Sequence, residues 1–583
     1  MSAQPAYNPR DNWATFLQVA ADCSFDELEE VRDFALKALD TSGEVGWAIP
    51  LGYSLWRFNL FEEALEALHK AKTYEQIDPQ YNILIGMVAR KIPGKLNIAK
   101  QAYFRALKLD PYRADIYYNY GNLIRDDTPS SSERAYLLSL KLDNSAHLSW
   151  HNLGLALNEQ DRHAEAFKAF KKGLLINPKY SDGWCNAGLA LFGLDQFERA
   201  IRYFRYTLEI DENSEAGHVN LGYALMNERR PIEALEFLKK GLELNRGSVN
   251  SIWNLSLIHL MLGNYKEGWD LYEARFGTEQ FKETKWPTSG MKINSIEEIN
   301  ATPDNPLIIW SEQGMGDAIQ FCRYLYLIKE RGIPFIFCTR ENLLDLMTNW
   351  LPFPENVVLE KTWNPEQDKR PQIALMSLPR LFKTDTHSVP SSCPYLMPTQ
   401  NIPDRLVLNE APGGIKVGFA WASNPDNKAM YRHKTMPSEL LLPYLSKLVH
   451  LDLIDLHSLQ VGSDANQLEK YNSYERVYNW DGKLENFSDT AFVINQLDLV
   501  ISVDTAVAHL AGALGKPTWL LLPNNADFRW LLDSSDCPWY PSMKIFRQST
   551  RGDWESVANE IMKAFEMLFA LNIDGLAASK LKR

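Results

Sequence analysis

The sequence predicts an α-helical repeat array followed by an α/β half built from two parallel-sheet units. Three observations favour this fold class. Glycines recur at a nearly constant spacing through the first half of the 583-residue chain. Short apolar runs alternate with amphipathic stretches in the second half, which is typical of βαβ units. One of these runs is followed by an acid and a hydroxyl, Asp504 and Thr505, directly before a predicted helix.

The spacing of the glycines predicts helical hairpins. The glycines are Gly52, Gly86, Gly121, Gly154, Gly188 and Gly222, and Ser256 takes the next place. Ala166 lies 12 residues after Gly154, and we expect the two small residues to meet where the helices of a hairpin touch. This period resembles the tetratricopeptide repeat. The resemblance covers residues 45–278 in about seven repeats and implies a superhelix with a concave inner surface, after capping helices in residues 1–44.

An asparagine recurs two residues before the repeated glycine or serine in five consecutive repeats. These residues are Asn119, Asn152, Asn186, Asn220 and Asn254. A primary amide is both donor and acceptor, so a row of amides can pair with a peptide backbone whatever its side chains. We expect them to form a peptide groove, as the similar array of the protein O-GlcNAc transferases does. The alternative is that the asparagines only brace neighbouring repeats.

Composition and charge exclude several classes of protein. The net charge of −13 argues against a nucleic-acid binder, because no basic field attracts phosphates. The six cysteines form no C-x-x-C pair, which argues against a metal site and a disulfide framework. The first residues lack the regions of a signal peptide, and no apolar run approaches about 18 residues. We therefore expect a cytoplasmic protein that does not span a membrane and needs no metal or cofactor.

The α/β half is predicted to follow a connector at residues 279–304. A polar, proline-rich passage separates two series of βαβ units, so a first Rossmann-like domain is expected at 305–400 and a second at 401–583. The predicted strands are 307–310, 335–338, 373–376, 415–421, 451–456, 497–503 and 518–522. We expect the two domains to face one cleft. The last helix, at about 553–570, is expected to cross back over that cleft to the first domain.

The first predicted βα loop contains Gln313, Gly314, Gly316 and Asp317, directly before a helix. Two glycines let the backbone approach a ligand closely, so this loop is a candidate acceptor-side site. Asp317 is the candidate catalytic residue, because it lies at the helix start and faces the expected cleft. The alternative is an aspartate that only caps the helix.

The second α/β domain is predicted to bind a phosphorylated small molecule. Asp504, Thr505 and His509 follow a buried strand at a helix N-terminus, where backbone N–H groups and the helix dipole favour anions. Hydroxyl, amide and cationic groups that suit a diphosphate lie in the loop after strand 415–421, with an ordinary solvated loop as the alternative. The loop residues are Ser423, Asn424, Arg432 and Lys434. Gln460 lies at another strand end and is a further candidate donor-binding residue.

These residues resemble the heptosyltransferase-like glycosyltransferases over about 305–570. The matching motifs are Met315-Gly316-Asp317, Lys434-x-Met-Pro and Asp504-Thr505-x-x-x-His509. The resemblance implies the two-Rossmann GT-B fold, a nucleotide-sugar donor and a metal-independent, inverting transfer. It implies that Asp317 is the general base, that Ser423, Asn424 and Lys434 contact the donor diphosphate, and that Asp504, Thr505 and His509 bind the donor. Repeats ahead of such a domain also resemble the bacterial O-GlcNAc-transferase-like proteins.

The sequence analysis predicts a glycosyltransferase whose repeat groove recruits the acceptor, with a protein as one candidate. One alternative is a non-catalytic adaptor with a degenerate enzyme domain. Another is an enzyme that acts on a saccharide or a lipid carrier and uses its repeats to dock to an assembly complex. The identities of the sugar, the nucleotide and the acceptor stay open at this stage.

Overall fold

The computed structural model describes residues 23–42, 45–282, 293–363, 368–408, 414–471 and 476–569. The chain divides into two compact units, residues 1–224 and 225–583. The predicted capping helices before residue 23 and the middle of the predicted connector, 283–292, lie outside the described residues. The last repeats fall in the same compact unit as the sheets.

The first unit consists of consecutive helical hairpins. Its helices are α1 (Phe25–Ser42), α2 (Ala48–Arg57), α3 (Phe61–Lys70), α4 (Pro79–Ala89), α5 (Leu96–Leu109), α6 (Ala114–Ile124), α7 (Pro129–Leu142), α8 (His147–Asn158), α9 (His163–Ile176), α10 (Ser181–Gly193), α11 (Phe197–Ile210) and α12 (Glu215–Asn227). The last of these helices continues across the boundary into the second unit. The helical repeats predicted from the glycine period are therefore present.

Four of the repeated glycines, from Gly86 to Gly188, make room for an aromatic ring, and Gly52 makes room for Leu68. A Cβ atom on Gly154 would lie 2.6 Å from the ring of Phe170, and one on Gly188 would lie 2.6 Å from the ring of Phe204. The alanine 12 residues after the glycine is not among the nearest contacts at these two positions, whereas at Gly52 the carbonyl oxygen of Ala64 lies 3.2 Å from the added Cβ atom. Ala166 is fully buried, but the ring 16 residues after the glycine is the closer neighbour, because the longer side chain crosses the gap between the two helices.

The turn that precedes the first helix of each hairpin is held by a recurring side-chain hydrogen bond. Trp150 Nε1 donates to the carbonyl of Asn144 at 3.0 Å, and Trp184 Nε1 donates to the carbonyl of Pro178 at 2.8 Å. The hydroxyl of Tyr117 makes the same type of bond one repeat earlier. These donors satisfy carbonyls that lie outside the helices, so they stabilise the turns directly.

The second unit begins with the last helical repeats and continues into two parallel sheets. The helices before the sheets are α13 (Pro231–Leu244), α14 (Val249–Met261), α15 (Tyr265–Tyr272) and α16 (Glu279–Lys282), with a 3₁₀ segment at Glu273–Gly277. Phe276 from that segment packs against the apolar residues of the first sheet. The repeats therefore share packing with the first sheet inside this unit.

Both sheets are parallel throughout. The first contains β1 (Leu307–Trp310), β2 (Phe335–Thr339), β3 (Val357–Leu359) and β4 (Gln372–Ala374), in the order β3-β2-β1-β4. The second contains β5 (Ile415–Ala420), β6 (Ile454–Ser458), β7 (Val477–Asn479), β8 (Leu499–Val503), β9 (Thr518–Leu522) and β10 (Met543–Arg547), in the order β10-β9-β8-β5-β6-β7. All seven predicted strands are present, two with the predicted ends and five with shifted ends. β3, β7 and β10 were not predicted from the sequence.

The helices of the sheet region complete the α/β arrangement. They are α17 (Met315–Phe321), α18 (Tyr324–Glu330), α19 (Glu341–Trp350), α20 (Leu378–Leu381), α21 (Lys428–Lys434), α22 (Leu442–His450), α23 (Phe487–Asn495), α24 (Ala506–Ala513) and α25 (Trp554–Phe569). Elements of the two sheets pack together, since Trp350 Nε1 donates to Ser488 Oγ at 3.0 Å.

The last helix packs on the second sheet. Val557, Ile561 and Phe565 of α25 lie in one buried cluster with Val417 and Ile501 of β5 and β8. The prediction that this helix crosses back to the first domain is therefore wrong. Its apolar face is buried locally, because the second sheet presents an apolar surface that needs a cover.

We predict that Gly154→Ala lowers the free energy of unfolding of the first unit by about 1–3 kcal/mol, the usual effect of overpacking. The added methyl group would lie 2.6 Å from the Phe170 ring, which is itself buried. Urea unfolding measures the effect. Gly46→Ala, in the same unit, is the control, since its methyl group would meet only the hydroxyl of Tyr74 at 3.4 Å. Equal stability of Gly154→Ala and the wild type would refute the packing explanation.

Candidate functional site

The candidate base lies in the first turn of α17. β1 ends at Trp310, the loop runs through Gly314, and α17 begins at Met315. The N–H of Gly314 donates to Asp317 Oδ2 at 2.7 Å, which is one half of a capping box. Asp317 therefore has the capping function that the alternative interpretation expects. Capping engages only this one oxygen of the carboxylate.

The other oxygen of Asp317 forms an ion pair with Arg529, which sequence reasoning missed. Arg529 Nη2 contacts Asp317 Oδ1, its Nη1 contacts Asp527 Oδ1 at 2.6 Å, and its Nε donates to Gln320 Oε1 at 2.6 Å. Arg529 follows β9 in the loop at the carboxyl end of that strand. Ligands of parallel sheets bind at such ends. The position of Arg529 after a predicted strand was therefore the sequence feature that could have identified it as a candidate site residue.

Asp504 forms the centre of a second charged group. Lys434 Nζ lies 2.7 Å from Asp504 Oδ2, and His509 Nε2 lies 3.8 Å from Asp504 Oδ1. Burial would raise the pKa of this carboxyl, but Lys434 and His509 outweigh it and hold the pKa at about 2. The carboxylate therefore stays charged at neutral pH. Thr505 is the N-cap residue of α24, and its hydroxyl lies 3.3 Å from Ser502 Oγ.

His509 connects the two charged groups. Its Nδ1 lies 3.0 Å from the hydroxyl of Tyr540, and its ring stacks on Trp530 with centroids 5.3 Å apart. A Cβ atom on Gly316 would lie 2.8 Å from His509 Cδ2. Gly316 thus lets α17 approach the imidazole, whereas the sequence analysis expected the glycine to accommodate a ligand. The carboxyl ends of β1 and β8 meet here. Burial lowers the pKa of His509 to about 3, so the ring is neutral.

The loop after β5 is partly organised by its own hydrogen bonds. Ser423 is buried, its N–H donates to Thr435 Oγ1 at 3.2 Å, and its Oγ has no partner within the described part of the chain. Asn424 is exposed, and its Oδ1 accepts from the N–H of Asp426. Arg432 is exposed and lines a pocket of about 630 Å³ together with Thr435.

Gln460 holds this loop instead of pointing into an open site. Its Oε1 accepts from the N–H groups of Trp421, at 3.2 Å, and Ala422, at 2.9 Å. The side chain is buried. Gln460 therefore positions the segment that leads to Ser423, and the prediction of direct donor contact has no support from this geometry.

A buried ion pair ties the loop of Asp317 to the last repeat. Arg275 and Glu312 have fully buried side chains, and Arg275 Nη2 lies 2.9 Å from Glu312 Oε1. Nη2 of the same guanidinium also donates to Ser377 Oγ at 2.7 Å. Next to Glu312, Gln313 has a φ of 64°, in the left-handed region, and its Nε2 donates to the hydroxyl of Tyr272 at 3.0 Å.

The asparagines at the repeated position already make contacts inside the repeats. The Nδ2 groups of Asn119 and Asn186 donate to the carbonyls four residues earlier, at 2.8 and 2.9 Å. Asn152 Nδ2 donates to Asn122 Oδ1, and Asn220 Nδ2 contacts Cys185 Sγ, each in the preceding repeat. Asn254 is buried. Bracing between repeats therefore accounts for two of the five. The first four, which lie in the first unit, remain partly exposed.

In the described ranges, no group of three or more His, Cys, Asp or Glu side chains is arranged to hold a metal ion. No helix in the part of the chain that the structure describes is long and apolar enough to cross a membrane.

We predict that the second unit loses stability as the pH falls below about 6.5, the ordinary pKa of histidine. Burial lowers the pKa of His457 to about 3, so the unfolded chain binds a proton that the folded chain rejects. The free energy of unfolding therefore decreases by about 1.4 kcal/mol per pH unit for this residue. His457→Gln should reduce the slope between pH 6 and pH 5 by about that amount in urea titrations, because glutamine does not titrate.

Gln400→Ala, at an exposed amide of the same unit, is the control, because neither the amide nor alanine titrates in this range. This variant should keep the wild-type slope. An identical slope for His457→Gln and the wild type would contradict the prediction.

A family model supports the helical repeats. The tetratricopeptide repeat matches residues 148–180, 181–214 and 216–248. The chain therefore contains tetratricopeptide repeats.

The chain is also similar to individual proteins. Protein FlbA of Caulobacter vibrioides is 26% identical over 332 residues, which are 53% of this chain and 53% of that protein. The chain thus spans about half the length of this curated relative. Among solved structures, MamA is 24% identical, with a TM-score of 0.26, and covers 28% of this chain and 95% of its own. PilF of Pseudomonas aeruginosa is 21% identical, with a TM-score of 0.31, and covers 35% and 95%.

Proposed function

We propose that the second unit is a glycosyltransferase of the GT-B type that transfers a sugar from a nucleotide-sugar donor with inversion and without a metal ion. One observation carries the proposal. Asp317, which follows β1 of the first sheet, forms an ion pair with Arg529, and Gly316 lies against His509. Arg529 and His509 both lie in segments that follow strands of the second sheet. Two parallel sheets whose carboxyl ends oppose each other are the arrangement that the heptosyltransferase-like resemblance implies.

The residues on the two sides suit the two ends of the reaction. Asp317 accepts the proton of the acceptor hydroxyl, whose oxygen attacks the anomeric carbon of the sugar. The bond from that carbon to the diphosphate oxygen breaks, and its electron pair stays on the diphosphate. Burial raises the pKa of Asp317 above its usual value, against the opposing effect of Arg529, which favours a proton acceptor. Lys434 and Arg529 provide positive charge near the leaving group.

The part of the site formed by the second sheet, called the donor side below, suits an anionic ligand. The N-terminus of α24 begins directly after Thr505, and backbone N–H groups at a helix start favour phosphate. Ser423 contributes a buried hydroxyl without a partner in the described residues. The pocket of about 630 Å³ next to this loop is lined by Tyr431, Lys470 and Tyr471, which suit an aromatic base attached to phosphates.

The repeats are proposed to recruit the acceptor, with a protein or peptide as the first candidate. The resemblance to the O-GlcNAc transferase array supports this role, and the partly exposed amides of the first unit remain able to accept hydrogen bonds from a peptide backbone. A screen of purified protein against UDP-, GDP-, ADP- and TDP-sugars by thermal shift tests the donor. Mass spectrometry of the products then separates a protein acceptor from a saccharide or lipid carrier. Absence of both donor binding and turnover would favour the adaptor alternative.

We predict that Asp317→Asn lowers turnover by about 10²–10⁴, the usual contribution of a positioned base. The amide keeps the shape of the side chain but cannot accept the proton. Release of nucleoside diphosphate measures the rate. Glu341→Gln is the matched control, because Glu341 is an exposed carboxylate in the first turn of α19. Near-normal turnover in Asp317→Asn would remove the proposed base.

We predict that changing Asn152, Asn186 and Asn220 together to alanine weakens peptide binding by about 10- to 1,000-fold, at about 0.5–1.5 kcal/mol for each hydrogen bond. Peptides selected on the wild-type protein from a display library provide the probe, and fluorescence anisotropy measures their affinity. Asn213→Ala, in an exposed turn, is the control. Thermal unfolding must show that the triple variant is folded. Full affinity in the folded variant would show that the asparagines only brace the repeats.

A further inference from the structure

Carboxylates of the chain already occupy the cations at the candidate site. Among the described residues, Lys434 Nζ lies 2.7 Å from Asp504, and Arg529 contacts both Asp317 and Asp527. Three carboxylates thus face two permanent cations. A donor diphosphate would bring at least two more negative charges into the same space. Paired hydrogen bonds from both Nη groups of Arg529 to the diphosphate require that a carboxylate give up its contact, because each Nη group already faces one.

Of the three carboxylates, Asp317 is the one best placed to lose its contact with a cation. Its Oδ2 keeps the N–H of Gly314 at 2.7 Å when Oδ1 loses the guanidinium, so the side chain remains held. Asp527 lies two residues before Arg529 and also accepts the N–H of Arg529 at 3.1 Å, so it moves with the arginine. Asp504 is paired with Lys434. The contact between Arg529 and Asp317 joins different elements that are 212 residues apart in the chain.

Arg529 also lies next to the donor side of the site. The following residue, Trp530, stacks on His509, and His509 Nε2 is 3.8 Å from Asp504 Oδ1. A planar guanidinium binds phosphate through paired N–H groups, in the geometry it uses for a carboxylate. A diphosphate near Asp504 and the start of α24 is therefore a direct competitor of Asp317 for the same donors.

We propose that Arg529 is a switch that couples donor binding to release of the base. In this structure its guanidinium forms an ion pair with Asp317. When a nucleoside diphosphate group binds, the guanidinium moves to the phosphates, and Asp317 Oδ1 becomes available to an acceptor hydroxyl. The inference rests on the proposed function and adds an order to it, with donor binding before acceptor activation. The ion pair thereby shields the base until a donor binds.

Competition between a diphosphate and Asp317 for Arg529 can be tested by binding measurements alone, without measuring turnover. If a diphosphate and Asp317 compete for Arg529, removing the charge of Asp317 must tighten diphosphate binding. We expect Asp317→Asn to raise the affinity for inorganic pyrophosphate, and for whichever of UDP, GDP, ADP or TDP binds, by about 5- to 100-fold. Isothermal titration calorimetry measures both probes. Glu341→Gln should leave these affinities unchanged.

A double-mutant cycle separates competition from a general effect of negative charge. Loss of a nearby carboxylate would help any anion to bind, whether or not Arg529 is present. Competition through Arg529 instead predicts a smaller effect in an Arg529→Gln background, where the shared guanidinium is gone. There, Asp317→Asn should raise the affinity for pyrophosphate less than twofold. An equal gain in both backgrounds, or no gain in the wild-type background, would overturn the switch.

A structure of the wild-type protein with pyrophosphate gives a second measurement that needs no variant, which matters if Arg529→Gln fails to fold. We expect Arg529 Nη2 within hydrogen-bond distance of a phosphate oxygen and separated from Asp317 Oδ1. If the guanidinium remains on Asp317 in that structure, the proposed switch is overturned, but the proposed function is not. Failure of the wild-type protein to bind pyrophosphate or any of the four nucleotides would overturn the proposed function, and the switch with it.

Discussion

The buried ion pair of Arg275 and Glu312 is the constraint on which the second unit depends. Both side chains are fully buried, so each charge needs the other. The guanidinium also lies against the rings of Tyr272 and Phe276 and donates to Ser377 after β4. One residue thus joins the end of the repeats to loops at the carboxyl ends of two strands of the first sheet. The loop that leads to Asp317 is therefore held in place by a residue at the end of the helical repeats.

The last repeat helix extends this anchoring to the second sheet. Tyr272 on α15 contacts Gln313, and Trp269 packs edge-on against Phe528 in the loop after β9. Trp539 Nε1 donates to the hydroxyl of Tyr265 at 3.2 Å. The helix therefore touches loops from both sheets, next to the place where Asp317 meets Arg529. The geometry of that pair depends on side chains that belong to the helical repeats as much as on the sheets themselves.

Burial organises the charges of the site in two opposite ways. Asp504 stays ionised because Lys434 compensates the loss of water, whereas His509 stays neutral because burial dominates its surroundings. Arg529 remains charged among its carboxylates. The site therefore holds charges of both signs at neutral pH, most of them on largely buried side chains, and burial strengthens each interaction. Its cations are already engaged by carboxylates, which is the basis of the exchange proposed for Arg529.

The sequence by itself determined the elements that depend on neighbouring residues. The glycine period predicted the hairpins, the apolar runs predicted seven strands, and the strand-end position of Asp317 and Asp504 predicted that they would lie at carboxyl edges. Short strands such as β3 were missed because three residues carry no periodicity. Only the tertiary structure decided that Phe170 fills the space at Gly154, that Gln460 holds a loop, and that Arg529 pairs with Asp317. These partners are set by packing between distant segments, and no local pattern records which side chain will fill a gap across 212 residues of chain.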